Sequence, residues 1–199
     1  MKRDRMEAFS DGILAIIITI MVLDLDIPKD ASAASLAAIF PNFLAYILSY
    51  LYIGIYWLNH HHLVSLFKYV TTKLLWKNLI WVFCISLIPI STKWVGMNPM
   101  QGLPTLTYGA VLLSCATSYH FLQNEVTRME RERMVTLIMV GDHLKTKVSI
   151  VAYIVAVLLA MQYSIVAYFI YLMVALMWFI PDTSLEKWHL IEFMRDDRH

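Results

Sequence analysis

Apolar residues fall into six long runs separated by short polar or charged segments. A helix needs roughly 20 mostly apolar residues to cross the hydrocarbon of a bilayer. The pattern predicts spans at about 4–25, 33–67, 72–95, 104–130, 144–162 and 164–181. Pro41 lies inside the second span and lets it bend, and Pro89 comes late in the third. Pro104 starts the fourth, in the first-turn position that proline favours, and Pro181 stops the sixth. Only Gln162-Tyr163-Ser164 separates the last two spans, which predicts a tight antiparallel hairpin. No soluble domain and no internal repeat stand out, so the expectation is one all-α membrane domain over 1–199.

Composition strengthens this reading. The chain is 59% hydrophobic and 16% charged, with a mean hydropathy of +0.61. Soluble domains are about 25% charged, which makes a soluble core a poor alternative. Of the 16 Lys and Arg residues, only Lys29 and Lys93 fall on the outer side if the N-terminus is inside. That bias places both termini in the cytoplasm. Lys2, Arg3 and Arg5, then Ile13–Leu23, then Ala31-Ser32-Ala33 imitate a cleavable signal peptide. Asp11 at the start of the apolar stretch and Asp24, Asp26 and Asp30 before the small residues argue against cleavage. Cys84 and Cys115 sit inside apolar runs and read as small buried hydrophobes. A net charge of +1 gives no reason to expect nucleic acid. The alternating signs of Glu125–Arg133 predict a helical extension with a solvated face.

Chemistry concentrates near the cytoplasmic end of the first span. Asp11 opens an apolar stretch, and a carboxylate one turn inside a membrane helix needs a partner. At 100° per residue, Ile16, Ile20 and Leu23 share one narrow face, within about 40° of Ile16. Phe9 and Arg5 return to that face nearer the cytoplasm. Asp11 falls about 140° away from Ile16, so if the aliphatic face lines an axis, Asp11 points back into the bundle. Periodicity alone fits either a pore lining or a lipid-facing stripe. Thr19 flanks the stripe; its hydroxyl either bonds back to the Ala15 carbonyl or touches a permeating ion. The second span ends in Trp57-Leu58-Asn59-His60-His61-His62, at about the depth of Asp11. An imidazole there is a natural partner for Asp11. Three consecutive histidines cannot share one helix face, so a gating or structural role fits better than zinc, and no metal site is expected.

Thr107-Tyr108-Gly109 matches a fragment of the potassium-channel filter loop, but its surroundings look helical and no re-entrant loop is evident. Ser10 has no triad partners, and no nucleotide loop or HExxH is present. Neither an enzyme nor a bound cofactor is expected.

Arg5-x-x-x-Phe9-Ser10-Asp11 at the start of the first span resembles the signature of the transmembrane protein 175 potassium channels. Pro41, Tyr46, Ser49 and Trp57-x-x-His60-His61 resemble that family's second helix. Six spans with both termini inside match one family repeat, and the likeness in layout covers the whole chain. The resemblance implies a homotetramer with four copies of the first helix around a central pore for potassium ions. It implies a hydrophobic constriction at Ile16, with further layers at Ile20 and Leu23, and a link between Thr19 and cation selectivity. It also implies that Arg5, Phe9, Ser10 and Asp11, with Trp57, His60 and His61, hold the pore helix in place. Ala15 stands where some members carry a small hydroxyl residue, so polar support around Thr19 is thinner. A single repeat implies a multi-pass protein of a prokaryotic plasma membrane, its partners being membrane lipid and its own copies.

Three functions compete on these residues. The first is a potassium-favouring cation leak channel gated by a hydrophobic ring. The second is a proton-coupled transporter or proton-conducting channel that uses Asp11 and the histidines as a relay. The third is a membrane assembly protein without transport.

Overall fold

The computed structural model describes residues 2–67, 69–129 and 133–179, with side chains between 133 and 142 outside that description. The expected stop at Pro181 and, of the basic residues expected on the inner side, Lys68, Arg131, Lys187, Arg195 and Arg198 also lie outside it.

The described residues form seven helices: α1 Arg3–Leu23, α2 Ala33–Ser65, α3 Thr72–Ser86, α4 Ile88–Met97, α5 Gly102–Met129, α6 Arg133–Ala160 and α7 Ser164–Phe179. Four stretches are long and apolar enough to cross a membrane: Arg3–Leu23, Ala33–Ser65, Thr72–Met97 and His143–Ala160. Ser164–Phe179 is a shorter apolar helix. The mean hydropathy of α5 is lowered by polar residues that face its neighbours, among them Thr105, Ser118, Gln123 and Glu125.

Helix starts follow from capping. The Ser32 hydroxyl accepts the Ser35 amide at 3.1 Å, and the Thr71 hydroxyl accepts the Leu74 amide at 3.2 Å. Each satisfies an amide that the first turn leaves unpaired. Before α2, hydrogen bonds from the Ser32 hydroxyl and amide hold the exposed Asp30 carboxyl below its ordinary pKa.

The third predicted span is divided. Its first part ends at Ser86, Leu87 makes a tight turn with its amide 3.2 Å from the Cys84 carbonyl, and α4 restarts with Pro89 in its first turn. Proline there lacks only an amide that has no partner inside the helix. The fifth span, expected at about 144–162, falls on the apolar stretch His143–Ala160, and the helix that carries it is described from Arg133 onward.

Packing centres on α5. It lies against α3, α4, α6 and α7, while α1 rests on α2, α3 and α4. One apolar core joins Met6, Leu14, Ile17 and Met21 of α1 to Ile53, Trp81, Ile85 and Tyr119. A second joins Tyr52, Tyr108, Tyr153 and Tyr171 with small residues of α6 and α7. Between the two, the Thr92 hydroxyl lies 2.7 Å from Ser49 Oγ, which lies 2.9 Å from Tyr108 Oη. Three buried hydroxyls thus tie α2, α4 and α5.

The expectation of a solvated face beginning at Glu125 is corrected. Glu125 is buried, with Lys77 Nζ at 2.6 Å and Lys73 Nζ at 3.2 Å from the same carboxylate oxygen. The start of α3 lies alongside this end of α5, and its two ammonium groups replace water around the carboxylate.

Candidate functional site

The site builds outward from Ser10. Its hydroxyl donates to the Met6 carbonyl at 3.0 Å and accepts from Asn78 Nδ2 at 2.9 Å. The side-chain oxygen of Asn78 lies 2.9 Å from His60 Nε2. An amide oxygen only accepts, so His60 carries its proton on Nε2. Its Nδ1 is buried with no partner among the described residues. The His60 ring stacks on Trp81 with centroids 4.5 Å apart and planes 10° from parallel. Ser10 of α1, His60 of α2 and Asn78 and Trp81 of α3 thus form one buried unit.

A second link lies one turn nearer the N-terminus of α1. His61 Nδ1 is 2.8 Å from a Glu7 carboxylate oxygen. Glu7, rather than Asp11, is therefore the acid that a histidine meets directly. Asp11 is half-buried, turned away from Ile16, and its Oδ1 has no partner among the described residues. Phe9 and Trp57 are both about half exposed on the surface of the chain, and Arg5 is exposed. The aromatic ring that holds His60 is that of Trp81, not Trp57.

The sequence reading missed Asn78 and Trp81. A signal was present: Asn78 is an amide at the head of the apolar run Leu79-Ile80-Trp81-Val82-Phe83. A buried amide in hydrocarbon requires partners.

The two faces of α1 differ sharply. Met6, Ser10, Leu14, Ile17 and Met21 are buried in the chain's own core. On the other side, Ile16 is 59%, Ile20 45% and Leu23 79% exposed. Thr19 is exposed beside them, and its hydroxyl donates to the Ala15 carbonyl at 2.9 Å, the local bond open to it from sequence. Beyond this stripe, Lys93 Nζ of α4 meets Asp24 at 2.8 Å, and Asn42 Nδ2 reaches Asp26 at 3.3 Å. Both ends of α1 are therefore tied to the chain while its aliphatic stripe faces outward. Among the described residues, no three His, Cys, Asp or Glu side chains converge as metal ligands.

Fold and site together define an all-helical membrane protein whose first helix is clamped from behind and bare in front. Residues 5–89 match the family model described as the endosomal/lysosomal potassium channel TMEM175. A potassium channel of Chryseobacterium sp. strain P1-3 is 45% identical over 187 residues, covering 94% of this chain and 97% of that one. A potassium channel of Streptomyces collinus is 32% identical over 132 residues, covering 62% and 64%. The fold matches the crystal structure of a lysosomal potassium-selective channel TMEM175 homolog from Chamaesiphon minutus. The TM-score is 0.77 at 23% identity, over 88% of this chain and 95% of that one. The chain belongs to the TMEM175 family of channels and is a multi-pass membrane protein.

Proposed function

We propose that the protein is a potassium-favouring cation leak channel, a homotetramer with four copies of α1 around a central axis. One observation carries this reading. The stripe Ile16, Ile20 and Leu23 is exposed on a helix whose opposite face is locked into the chain's own core. Facing an axis, four such stripes make stacked aliphatic rings, with Ile16 as the narrowest. A narrow hydrophobic ring blocks ions by dewetting, so opening consists of widening or wetting the Ile16 layer. Thr19 flanks the rings. Its single hydroxyl hydrogen is used on Ala15, which leaves oxygen lone pairs for a cation and no donor for an anion. Arg5, Phe9, Ser10, Asp11, Trp57, His60 and His61 hold the helix, with the exposed Phe9 and Trp57 covered by a neighbouring subunit.

In this reading 1–199 is a single channel domain that needs no cofactor. The helices cross six times, α3 and α4 together forming one span, with both termini in the cytoplasm of a prokaryote. The channel sits in the plasma membrane, and its partners are lipid, its own copies and permeating potassium ions.

A specific observation favours proton conduction as the second reading. The Ser10–Asn78–His60 chain runs from α1 to α2 beside Asp11. Potassium flux from liposomes holding the purified protein separates the readings. A passive flux driven by the potassium gradient alone supports the channel. A flux that requires a pH gradient supports the proton-linked reading, and no flux of either ion contradicts both.

A further inference from the structure

A groove of about 390 Å³ opens on the outside of the chain between α2, the α4–α5 turn and α7, on the far side of α2 from the site at Ser10. Its floor is Val95 and Tyr108, both buried, and its rim is Leu44, Leu51, Met100 and Leu172, all exposed. Among the described residues, no charged side chain lines it. The polar group at one end is the hydroxyl of Tyr168, one turn into α7, held 3.3 Å from the Thr105 hydroxyl.

The groove has the dimensions of one leaflet. From Pro41 to Leu51, α2 rises about 15 Å at 1.5 Å per residue. That is half of the roughly 30 Å hydrocarbon core of a bilayer. The wall belongs to Ala33–Ser65, a helix long and apolar enough to cross the membrane, which gives the groove a wall of the length and character to lie within hydrocarbon. The polar end lies where α7 begins and where the α4–α5 turn emerges, at the level of lipid headgroups. An apolar trough one leaflet deep, with a hydroxyl at the headgroup end, suits an amphiphile with one chain inside and its ester group beside Tyr168.

We propose that this groove is a binding site for one acyl chain of a membrane phospholipid, in the outer leaflet under the orientation given above. The inference stands on the membrane-crossing helices rather than on the pore, so either can fail without the other. The probe is dioleoyl phosphatidylglycerol, titrated into the delipidated, detergent-purified full-length protein and read by native mass spectrometry. The wild type is expected to retain about one lipid per protomer, one leaflet-deep chain per groove. Leu48→Trp places a large ring over the floor, and Ala45→Leu is a milder filling for use if the first variant does not assemble. Either should weaken that lipid by at least about fivefold, which corresponds to about 1 kcal/mol. Leu158→Trp, on an exposed part of α6 away from the groove, should leave it unchanged. Equal retention in the groove variants and the wild type overturns the proposal. So does a groove variant that breaks the oligomer without changing lipid binding, because the occupant is then a second copy of the chain.

Discussion

Asn78 joins two buried polar groups on different helices, and its own amide is satisfied by both. Asn78→Leu keeps the volume but leaves His60 Nε2 without an acceptor and Ser10 Oγ without a donor. Stranding a buried polar group costs about 1–3 kcal/mol. A clear drop in the melting temperature of the detergent-purified protein is expected, and an unchanged melting temperature contradicts the network. Asp11 makes a different prediction, because its carboxylate turns away from the aliphatic stripe. Asp11→Asn is expected to lower expression or oligomer stability while leaving the potassium-to-sodium flux ratio near that of the wild type. A normal oligomer with strongly altered selectivity would show that Asp11 acts in conduction.

At the scale of elements, Gly96 marks a close approach of α4 to α2. A Cβ there would lie 2.8 Å from the Asn42 Cα, a backbone atom that cannot swing aside. Gly96→Ala must push the two helices apart, and overpacking of this kind costs about 1–3 kcal/mol. The same variant should loosen the Asn42–Asp26 contact, so faster proteolysis at 24–32 is the accompanying readout. No change in stability or cleavage contradicts the close crossing.

Much of the architecture was legible in the chain. Apolar run length gave α1 and α2 almost to the residue, and Gln162-Tyr163-Ser164 marked the α6–α7 turn. The angle of Asp11 relative to Ile16 followed from helical geometry alone. The break at Leu87 was not legible, because a proline late in an apolar run fits a bend within one helix as well as the first turn of another. The burial of Glu125 was hidden for a similar reason. Its partners Lys73 and Lys77 lie about 50 positions away in the chain, and no local charge pattern indicates which helix will lie alongside. His60 needed Asn78 and Trp81, which are local to neither motif that drew attention to it. Non-local polar pairing is set by packing, and a single sequence carries only its requirement, not its address.

For the whole molecule, the distribution of buried and exposed surface on α1 organises the account. One face is held by Met6, Leu14, Ile17 and Met21, and the two ends by Ser10–Asn78 and Asp24–Lys93. This arrangement fixes the helix while leaving Ile16, Ile20 and Leu23 exposed, free to face the axis of the proposed tetramer. Ile16 is branched at Cβ and stiff at χ1, so its ring does not open by side-chain rotation alone. The role proposed for this ring is that of the barrier to ions. Its most direct test is potassium flux from liposomes carrying equal amounts of wild type, Ile16→Asn and Leu23→Asn. With Ile16 as the narrowest layer of the proposed pore, hydrating it should raise basal flux severalfold in Ile16→Asn, about 1 kcal/mol off the barrier, and less in Leu23→Asn. Unchanged flux in a correctly assembled Ile16→Asn protein would contradict the assignment of this stripe to a pore.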